Sequence, residues 1–304
     1  MEMGTSARMK CSVIILNWNG ARMLRTYLPS VVTHTTDAEL IVADNGSTDE
    51  SLQVLKDEFP TVRTIVLDKN YGFAEGYNQA IAQVDSEYVV LLNSDVEVTE
   101  NWLSPLLAYM DAHSEVAAVQ PKIRSWRNKA LFEHAGAAGG YLDPLGYPYC
   151  RGRRFGKVEE DKGQYDTVVN VDWTTGACMC VRTKIYKESG GLDAAFFAHQ
   201  EEIDLCWRMR NQGWTLACVP QSTVYHLGGG ALSYDNPRKT YLNFRNNLLM
   251  IYKNSRCRWG VLSIRFFLDI AAACMFLVTG KKGSAKAVLE ARKDYHKMRK
   301  NYHH

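Results

Sequence analysis

The chain has 304 residues, 46% hydrophobic and 23% charged, with a formal net charge of +3 at pH 7. It can bury a large core, and one catalytic domain with a C-terminal appendage is expected rather than two equal domains. Its eight cysteines include no C-x-x-C pair or zinc spacing, which argues against a disulfide framework or a zinc module. Cys11, Cys178 and Cys180 lie in apolar runs and are expected to be reduced core residues; residues 1–10 lack the apolar segment of a secretory signal.

Two strand-like segments open the chain, each followed by a polar loop. Residues 11–16 (CSVIIL) run into residues 17–20 (NWNG), and residues 40–43 (LIVA) end in the loop 44–49 (DNGSTD). Apolar residues then recur at helical spacing until Pro60, which predicts a helix after the second loop. The order of strand, polar loop and helix is therefore repeated.

Two further segments continue this pattern. Residues 62–67 lead to the loop 70–78 (NYGFAEGYN), and residues 88–92 (YVVLL) stop at Asn93 and Asp95. An apolar, partly β-branched run that ends at polar residues is typical of a buried parallel strand. Four strands alternating with helices predict a right-handedly wound parallel sheet, so the polar loops should converge on one crevice.

Asn93 and Asp95 would present hard oxygen ligands at one point of that crevice. Such a pair suits a Mg²⁺ or Mn²⁺ ion that takes its other ligands from phosphate oxygens. The same residue types also cap helices and make turns, and local sequence leaves that alternative open. The chain contains neither G-x-G-x-x-G at the first helix nor G-x-x-x-x-G-K-[ST], which argues against a dinucleotide dehydrogenase and a P-loop phosphotransferase.

Four motifs, in this order and spacing, resemble the family 2 glycosyltransferases with the GT-A fold: residues 13–20, 42–49, 70–78 and 91–95. The resemblance covers about residues 10–255 and is closest to the bacterial branch that includes rhamnosyltransferase-like enzymes of cell-surface polysaccharide assembly. It implies an α/β fold of GT-A type, in which helices flank a mostly parallel wound sheet.

The resemblance also implies roles for single residues. Asp95 would be the metal-binding carboxylate of the family's D-x-D element, whose first position here is Asn93. Trp18 is expected to belong to the core rather than to contact a ligand. The residues that the resemblance assigns to the nucleotide are Asn17, Asn19, Asp44, Asn70, Gly72 and Asn93.

Residues 172–181 resemble the family's segment beside the donor sugar. Gly176 would allow close approach of backbone to ligand, and an ordinary strand after a turn is the alternative. The resemblance assigns Trp173, Gly176 and Asp204 to the donor or acceptor sugar. The stretch 143–166, rich in Gly, Tyr and basic residues, is predicted to be a long loop over the acceptor cleft.

Glu201 and Glu202 stand where the family has a Glu-Asp pair, whose second residue takes the proton of the acceptor hydroxyl in inverting enzymes. Glu202 is therefore the candidate base, with Glu201 as the alternative. Carboxylates near a helix N-terminus stay ionised, as a base must. The structural alternative is a solvated acidic first turn with an ion pair between Asp204 and Arg208.

His226 precedes a Gly-rich stretch within residues 224–233. It matches a histidine that some family members use as a further metal or diphosphate ligand. A structural histidine with satisfied hydrogen bonds is the alternative. The expected cofactor is thus a divalent cation, Mg or Mn, at Asp95 and His226.

The C-terminal part of the chain is strongly basic. From Arg238 onward there are fifteen Lys and Arg against three Asp and Glu. Residues 260–278 are strongly apolar but interrupted by Arg265 and Asp269, and basic residues flank them on both sides. We expect a helix that lies in an anionic membrane surface, with packing on the catalytic domain or a dimer contact as the alternative. Nucleic acid is not an expected partner, because the basic residues alternate with aliphatic runs.

These patterns predict a catalytic domain over residues 10–255, divided into a nucleotide-sugar half (10–100) and an acceptor half (101–255), and a basic helical tail over 256–304. The expected enzyme is an inverting, metal-dependent glycosyltransferase. It would move a hexosyl or deoxyhexosyl group from a nucleotide diphosphate donor to a hydroxyl of a glycan or lipid-linked acceptor in cell-surface polysaccharide synthesis. The expected location is the cytoplasm, including the inner face of the cytoplasmic membrane.

Two other functions stay open at this point. A sugar nucleotidyltransferase would share the wound sheet, but it should carry a Gly-rich, basic triphosphate loop where this chain has residues 17–20. A catalytically silent nucleotide-sugar-binding module would keep Asp44, yet it could dispense with Asp95 and Glu202.

Overall fold

Four parallel strands form the first half of the sheet. The computed structural model describes residues 9–134, 136–154, 156–228 and 236–302. Its first strands, in the spatial order β4-β1-β2-β3, are β1 (Cys11–Asn17), β2 (Glu39–Asp44), β3 (Arg63–Val66) and β4 (Tyr88–Asn93). Since all four run the same way, their carboxyl ends lie at one edge, and the predicted parallel arrangement is confirmed.

The second half of the chain extends this sheet and makes it mixed. Over the described residues the sheet has nine strands, in the order β11-β13-β6-β12-β4-β1-β2-β3, with β5 beside β13. Strand β12 is antiparallel to β4 and β6, whereas β13 is parallel to β6. The added strands are β5 (Val96–Val98), β6 (Val116–Ser125), β11 (Val169–Asn170), β12 (Cys178–Arg182) and β13 (Thr215–His226). Two separate two-stranded sheets are formed by β7 (Gly140–Leu142) with β8 (Pro148–Cys150) and by β9 (Arg153–Arg154) with β10 (Lys157–Val158).

The stretch 143–166 is more ordered than the predicted long loop. Strands β7 and β8 pair as an antiparallel hairpin, and β9 pairs with β10. Short strands separated by glycines give little periodic signal, because two or three residues are too few to establish an alternation.

The α-helices cover both faces of the sheet. Helix α2 ends at Glu58, just before Pro60, as predicted. The α-helices are α1 (Ala21–His34), α2 (Ser51–Glu58), α3 (Gly72–Ile81), α4 (Ser104–Ala112), α5 (Thr183–Glu188), α6 (Glu201–Asn211), α7 (Pro237–Asn254), α8 (Arg258–Val278) and α9 (Lys282–Met298). Short 3-10 helices lie at Ala194–Phe196 and Arg299–Asn301.

Strand alternation divides the core into two layers. In β1, Val13 and Ile15 belong to a cluster with residues of α1, α2 and α4, whereas Ile14 belongs to a cluster with residues of α3, α5 and α6. Both sheet faces are therefore buried, and each such side chain contributes roughly 1.5–3 kcal/mol. Cys11, Cys178 and Cys180 are free and buried within this core, as expected.

Helix α8 packs with its polar residues inward. The buried stripe consists of Leu262, Arg265, Asp269 and Ala273, at helical spacing. The helix is 21 residues long and, by length and composition alone, apolar enough to cross a membrane. Most of its exposed side chains are apolar, and they include Trp259, Ile264, Phe266, Phe267, Leu268, Met275, Leu277 and Val278.

Candidate functional site

A cleft of about 1050 Å³ lies at the carboxyl edge of the parallel strands. Its walls come from the end of β4, the loop before α3, the first turn of α6 and the first half of α7. This volume is at the upper end of the range for small-molecule sites. It suits a nucleotide sugar with the end of an acceptor better than a small metabolite.

Asp95 and His226 meet beside this cleft. His226 Nε2 lies 3.1 Å from Asp95 Oδ1 and 3.4 Å from the Asn93 amide nitrogen. On its other side, His226 Nδ1 is 3.6 Å from Glu133 Oε2. Burial disfavours the charged imidazole, but the carboxylates of Asp95 and Glu133 outweigh it and raise the pKa of His226 to about 10. Burial also opposes ionisation of Asp95, yet the bond from His226 holds the pKa of that carboxyl below its ordinary value.

These residues fit a divalent cation that shares its coordination with a phosphate ligand. Asp95 offers a hard oxygen, and His226 would offer an imidazole nitrogen once the cation displaces its proton. This donor set suits Mn²⁺. Within the described residues, no group of three or more acidic, histidine or cysteine side chains could hold a metal ion. A cation held here would therefore need phosphate oxygens or water to fill its octahedron.

Glu133 is a site residue that the sequence did not indicate. It is 8% exposed, lines the cleft and stands beside His226, although 93 positions separate the two in the chain. Gly228 makes room for it: a Cβ on Gly228, whose φ is +63°, would lie 2.4 Å from Glu133 Oε1. The rest of the predicted Gly-rich stretch, residues 229–233, lies outside the described residues.

Asn70 and Gly72 lie on the cleft wall. The Asn70 side chain accepts a hydrogen bond from the Gly72 N–H at 2.8 Å. Asn45, which the sequence did not single out, lines the same wall and donates to Gly72 O at 3.0 Å. A side chain at position 72 would meet the Phe197 ring at 2.9 Å, and its φ is +78°, so glycine is required there.

Asn17 and Asp44 lie below the cleft rather than on its wall. Both are fully buried, and the Asn17 amide donates to Asp44 Oδ1 at 3.0 Å. The remaining Asp44 oxygen accepts from the Ser47 N–H at 2.9 Å. Asn19 is bound to the same loop, accepting from the Thr48 N–H at 2.7 Å. Their predicted contact with the nucleotide stays a prediction.

The expectation that Trp18 belongs to the core is wrong. Its side chain is 56% exposed and lines the cleft. The reason is position: Trp18 follows the last residue of β1, in a loop at the open edge of the sheet. An exposed aromatic ring at this edge offers a flat apolar surface to a ligand.

Glu201 and Glu202 open α6 and face the cleft. In each, the Oε2 atom is buried without a hydrogen-bond partner, so the solvated acidic turn considered from sequence is wrong. Burial raises the pKa of Glu201 well above its ordinary value, and the charge of Glu202 adds to the effect. Burial raises the pKa of Glu202 to about 6, against the opposing effect of backbone N–H groups that include Gly176. Burial therefore makes both carboxyl groups harder to ionise than a solvated glutamate.

Gly176 and Trp173 line the cleft, but Asp204 does not. The Asp204 carboxylate is fully buried and accepts hydrogen bonds from Arg208 at 2.9 Å and Lys253 at 2.8 Å. Both carboxylate oxygens of Asp204 are bound inside the protein, so the assignment of Asp204 to a sugar is wrong. The ion pair with Arg208, predicted as the structural alternative, is present.

Cationic side chains also line the cleft, among them Arg153, Arg238 and Lys239. Arg153 belongs to β9, and the other two to the first turn of α7. A wall of this charge suits an anionic ligand such as a diphosphate.

The chain is similar in sequence to known glycosyltransferases. A family model described as Glycosyl transferase family 2 matches residues 12–187. An N-acetylglucosaminyl-diphospho-decaprenol L-rhamnosyltransferase of Mycobacterium tuberculosis is 25% identical over 236 residues, covering 70% of this chain and 75% of that protein.

Two solved structures share the fold. The mannosyltransferase PcManGT from Pyrobaculum calidifontis, in complex with GDP-Man and Mn²⁺, has a TM-score of 0.58 and 14% identity, covering 95% of this chain and 76% of that one. GalNAc-T7 with UDP, GalNAc and Mn²⁺ has a TM-score of 0.61 and 17% identity, covering 82% of this chain and 48% of that one. The family match spans more than half of the chain, so the protein belongs to glycosyltransferase family 2, has the GT-A fold, and is an enzyme that transfers a sugar from a nucleotide sugar to an acceptor.

Proposed function

We propose that this glycosyltransferase is inverting and metal-dependent, and that Glu202 is its general base. The observation that carries the proposal is the Glu202 carboxylate itself. It is buried at the cleft, one oxygen has no partner, and its pKa of about 6 leaves it ionised yet basic at neutral pH. A general base works best when its pKa lies near the working pH.

The chemistry needs one proton acceptor on this chain. Glu202 takes the proton of the acceptor hydroxyl as that oxygen attacks the anomeric carbon of the donor. The bond from this carbon to the diphosphate breaks, and the configuration at the carbon inverts. Glu201 keeps its own proton, since burial and the neighbouring charge oppose its ionisation.

The donor diphosphate has two sets of partners in this proposal. Asp95 and His226 would hold a divalent cation, which supplies Lewis-acid stabilisation of the leaving diphosphate when it is bound. Arg153, Arg238 and Lys239, which line the same cleft, would neutralise the remaining charge. Mn²⁺ is present in two solved structures of the same fold, which supports a divalent cation as the cofactor.

The substrates are inferred from relatives and from the surface of α8. The Mycobacterium tuberculosis relative is named for transfer of L-rhamnose to an N-acetylglucosaminyl-diphospho-decaprenol. We infer a deoxyhexosyl donor and a lipid-linked diphosphate acceptor for this chain. The outward apolar face of α8 supports an acceptor that stays in a membrane, with the enzyme bound peripherally to the inner face of the cytoplasmic membrane.

A panel of nucleotide sugars tests the proposal. Uridine, guanosine and thymidine diphosphate sugars, including rhamnose donors, are compared by thermal unfolding with and without Mn²⁺. Binding of the donor at a hundred times its Kd stabilises the fold by about 2.7 kcal/mol. The best donor is then incubated with a synthetic N-acetylglucosaminyl diphosphate lipid, and NMR gives the anomeric configuration of the product. Retention of configuration, or equal donor stabilisation with and without the metal, would contradict the proposal.

A further inference from the structure

The backbone that leads into Glu201 and Glu202 is conformationally unfavourable. Phe197, His199 and Gln200 have φ angles of 64°, 71° and 70°. Such angles are uncommon for residues other than glycine and persist only where the surroundings hold them. Three of them within four positions, directly before a pair of buried carboxyl groups, indicate a segment whose shape is imposed from outside.

Helix α7 supplies much of that support. The Asn246 amide nitrogen lies 3.1 Å from Phe196 O, 2.9 Å from Ala198 O and 2.7 Å from His199 O. Arg245 also donates to Phe196 O, at 3.0 Å. Asn246 is fully buried. One side chain therefore binds the carbonyl groups on both sides of Phe197.

The next residue of α7 holds the end of the segment. Asn247 donates to Gln200 Oε1 at 3.1 Å, and Gln200 in turn donates to Asn243 O at 3.2 Å. The oxygen of Asn247 accepts from Arg265, which also donates to Leu145 O at 3.1 Å. Arg265 is 1% exposed, and both it and Asn247 belong to the wall of the cleft.

Arg265 and Asp269 form a buried ion pair along α8, but the hydrogen bonds of Arg265 go to other partners. Its Nε atom is 3.6 Å from Asp269 Oδ1, beyond hydrogen-bond distance, and has no hydrogen-bond partner. Asp269 is hydrogen-bonded by Arg292 from α9 instead. The two hydrogen bonds that Arg265 does form point toward Asn247 and the β7–β8 hairpin.

We propose that Arg265 and Asn247 are positioning residues of the transfer reaction, which fix Gln200 so that the Glu202 carboxylate faces the cleft. The inference rests on the proposed role of Glu202 as the base. It also links α8 to the active site. Arg265, on the inner side of α8, holds residues 197–200, which lead into the helix that carries Glu202.

A pair of matched variants tests this role. Arg265→Met and Arg292→Met each remove one of the two arginines near Asp269, so both weaken the packing of α8 and α9. Only Arg265→Met breaks the contact with Asn247. With the best donor of the panel and the synthetic lipid acceptor, we expect kcat to fall tenfold to a hundredfold in Arg265→Met, with KM for the donor unchanged. Arg292→Met should retain the kcat of the unmodified enzyme.

The pH profile separates positioning from general destabilisation. If Glu202 is released into water, its pKa falls from about 6 toward the ordinary value, and the acid limb of kcat moves to lower pH. Loss of folded protein would lower the apparent kcat but leave the pKa of Glu202 in the remaining folded enzyme unchanged. An Arg265→Met enzyme with the kcat and acid limb of Arg292→Met overturns the proposal.

A second variant covers the case in which Arg265→Met does not fold. Gln200→Gly removes the side chain bound by Asn247 but suits a φ of 70°, so the melting temperature should be kept while kcat falls at least tenfold. Full kcat in this variant also overturns the proposal. Glu202→Gln is run in parallel: if it stays active, the assignment of the base is wrong, whereas an inactive Glu202→Gln beside a fully active Gln200→Gly contradicts only the positioning role.

Discussion

His226 Nε2 lies 3.1 Å from Asp95 Oδ1 and joins the end of β13 to the turn after β4. The contact brings together residues 131 positions apart, from the two halves of the chain. Asp95 and His226 thus place one oxygen and one nitrogen that can bind a cation at the same point of the cleft. The first prediction depends on this pair.

Removal of the Asp95 carboxylate should abolish metal-supported donor binding. In Asp95→Ala we expect no Mn²⁺-dependent rise in melting temperature with the nucleoside diphosphate, because His226 alone cannot hold the cation. The fold should persist, since Leu227 N still donates to the Asp95 carbonyl. Glu100→Ala, which removes an exposed carboxylate five positions away, is the control. Unchanged Mn²⁺-dependent affinity in Asp95→Ala would refute the assignment.

The two glutamates of α6 should differ sharply. Glu202→Gln keeps the shape of the side chain but cannot accept a proton, so kcat should fall by about 10² or more with the donor Kd nearly unchanged. Glu201→Gln imitates the protonated state that burial favours, and it should keep most of the activity. Steady-state kinetics with donor titration measures both. An inactive Glu201→Gln beside an active Glu202→Gln would exchange the two roles.

Activity should decline in acid with a single ionisation near pH 6. The base must be unprotonated, and burial raises the pKa of Glu202 to about 6, so kcat/KM should fall about tenfold for each pH unit below that value. The profile is measured between pH 4.5 and 8 in buffers of constant ionic strength. An acid limb near pH 4 would mean that the base is a solvated carboxylate.

The raised pKa of Glu202 also predicts that the stability of the fold falls as pH rises, whereas activity increases. Because the folded-state pKa of Glu202 exceeds the unfolded value, the folded state binds more protons between about pH 4.5 and 6, and stability falls as pH rises through that window. Glu202→Gln should therefore raise the melting temperature at pH 7 and have little effect at pH 4. Thermal unfolding at the two pH values measures this. A lower melting temperature for the variant at pH 7 would show that the carboxylate is stabilising there.

Vesicle binding tests the outer face of α8. The protein should sediment with anionic vesicles at low salt and less at high salt, because each basic flanking residue contributes about 1 kcal/mol near the surface and salt screens the attraction. The flanking residues are Arg256, Arg258, Lys281, Lys282 and Lys286.

Apolar contact with the vesicle is tested separately. Phe267 is 72% exposed, so Phe267→Glu should weaken binding, whereas Leu52→Glu on α2 should not. Protein that stays in the supernatant under all conditions would mean that another protein surface covers α8.

Local patterns predicted the β1–β4 half of the fold well. An apolar run that stops at Asp44 or Asn93 predicts a buried strand with a polar end. All of the signal lies within a few consecutive residues. The position of Glu201 and Glu202 at the start of a helix was also predictable, because acidic residues preceded an apolar face.

Roles that depend on distant partners could not be predicted. Glu133 is a site residue only because β13 brings His226 beside it, and Asn246 only because α7 crosses the segment before α6. Arg265 and Asp269 suggested a membrane helix interrupted by charge. In the structure both side chains point inward, toward partners on α7 and α9. The sequence of α8 alone does not indicate this direction.

The continuity of the sheet limits how this enzyme can move. Strand β4 is hydrogen-bonded to β1 on one side, with Leu16 opposite Asn93, and to β12 on the other, with Cys178 opposite Leu92. A hinge between the donor and acceptor halves would have to break that ladder. Substrate capture and product release must therefore come from segments beyond the strand ends, and a cross-link between β4 and β12 should leave turnover unaffected.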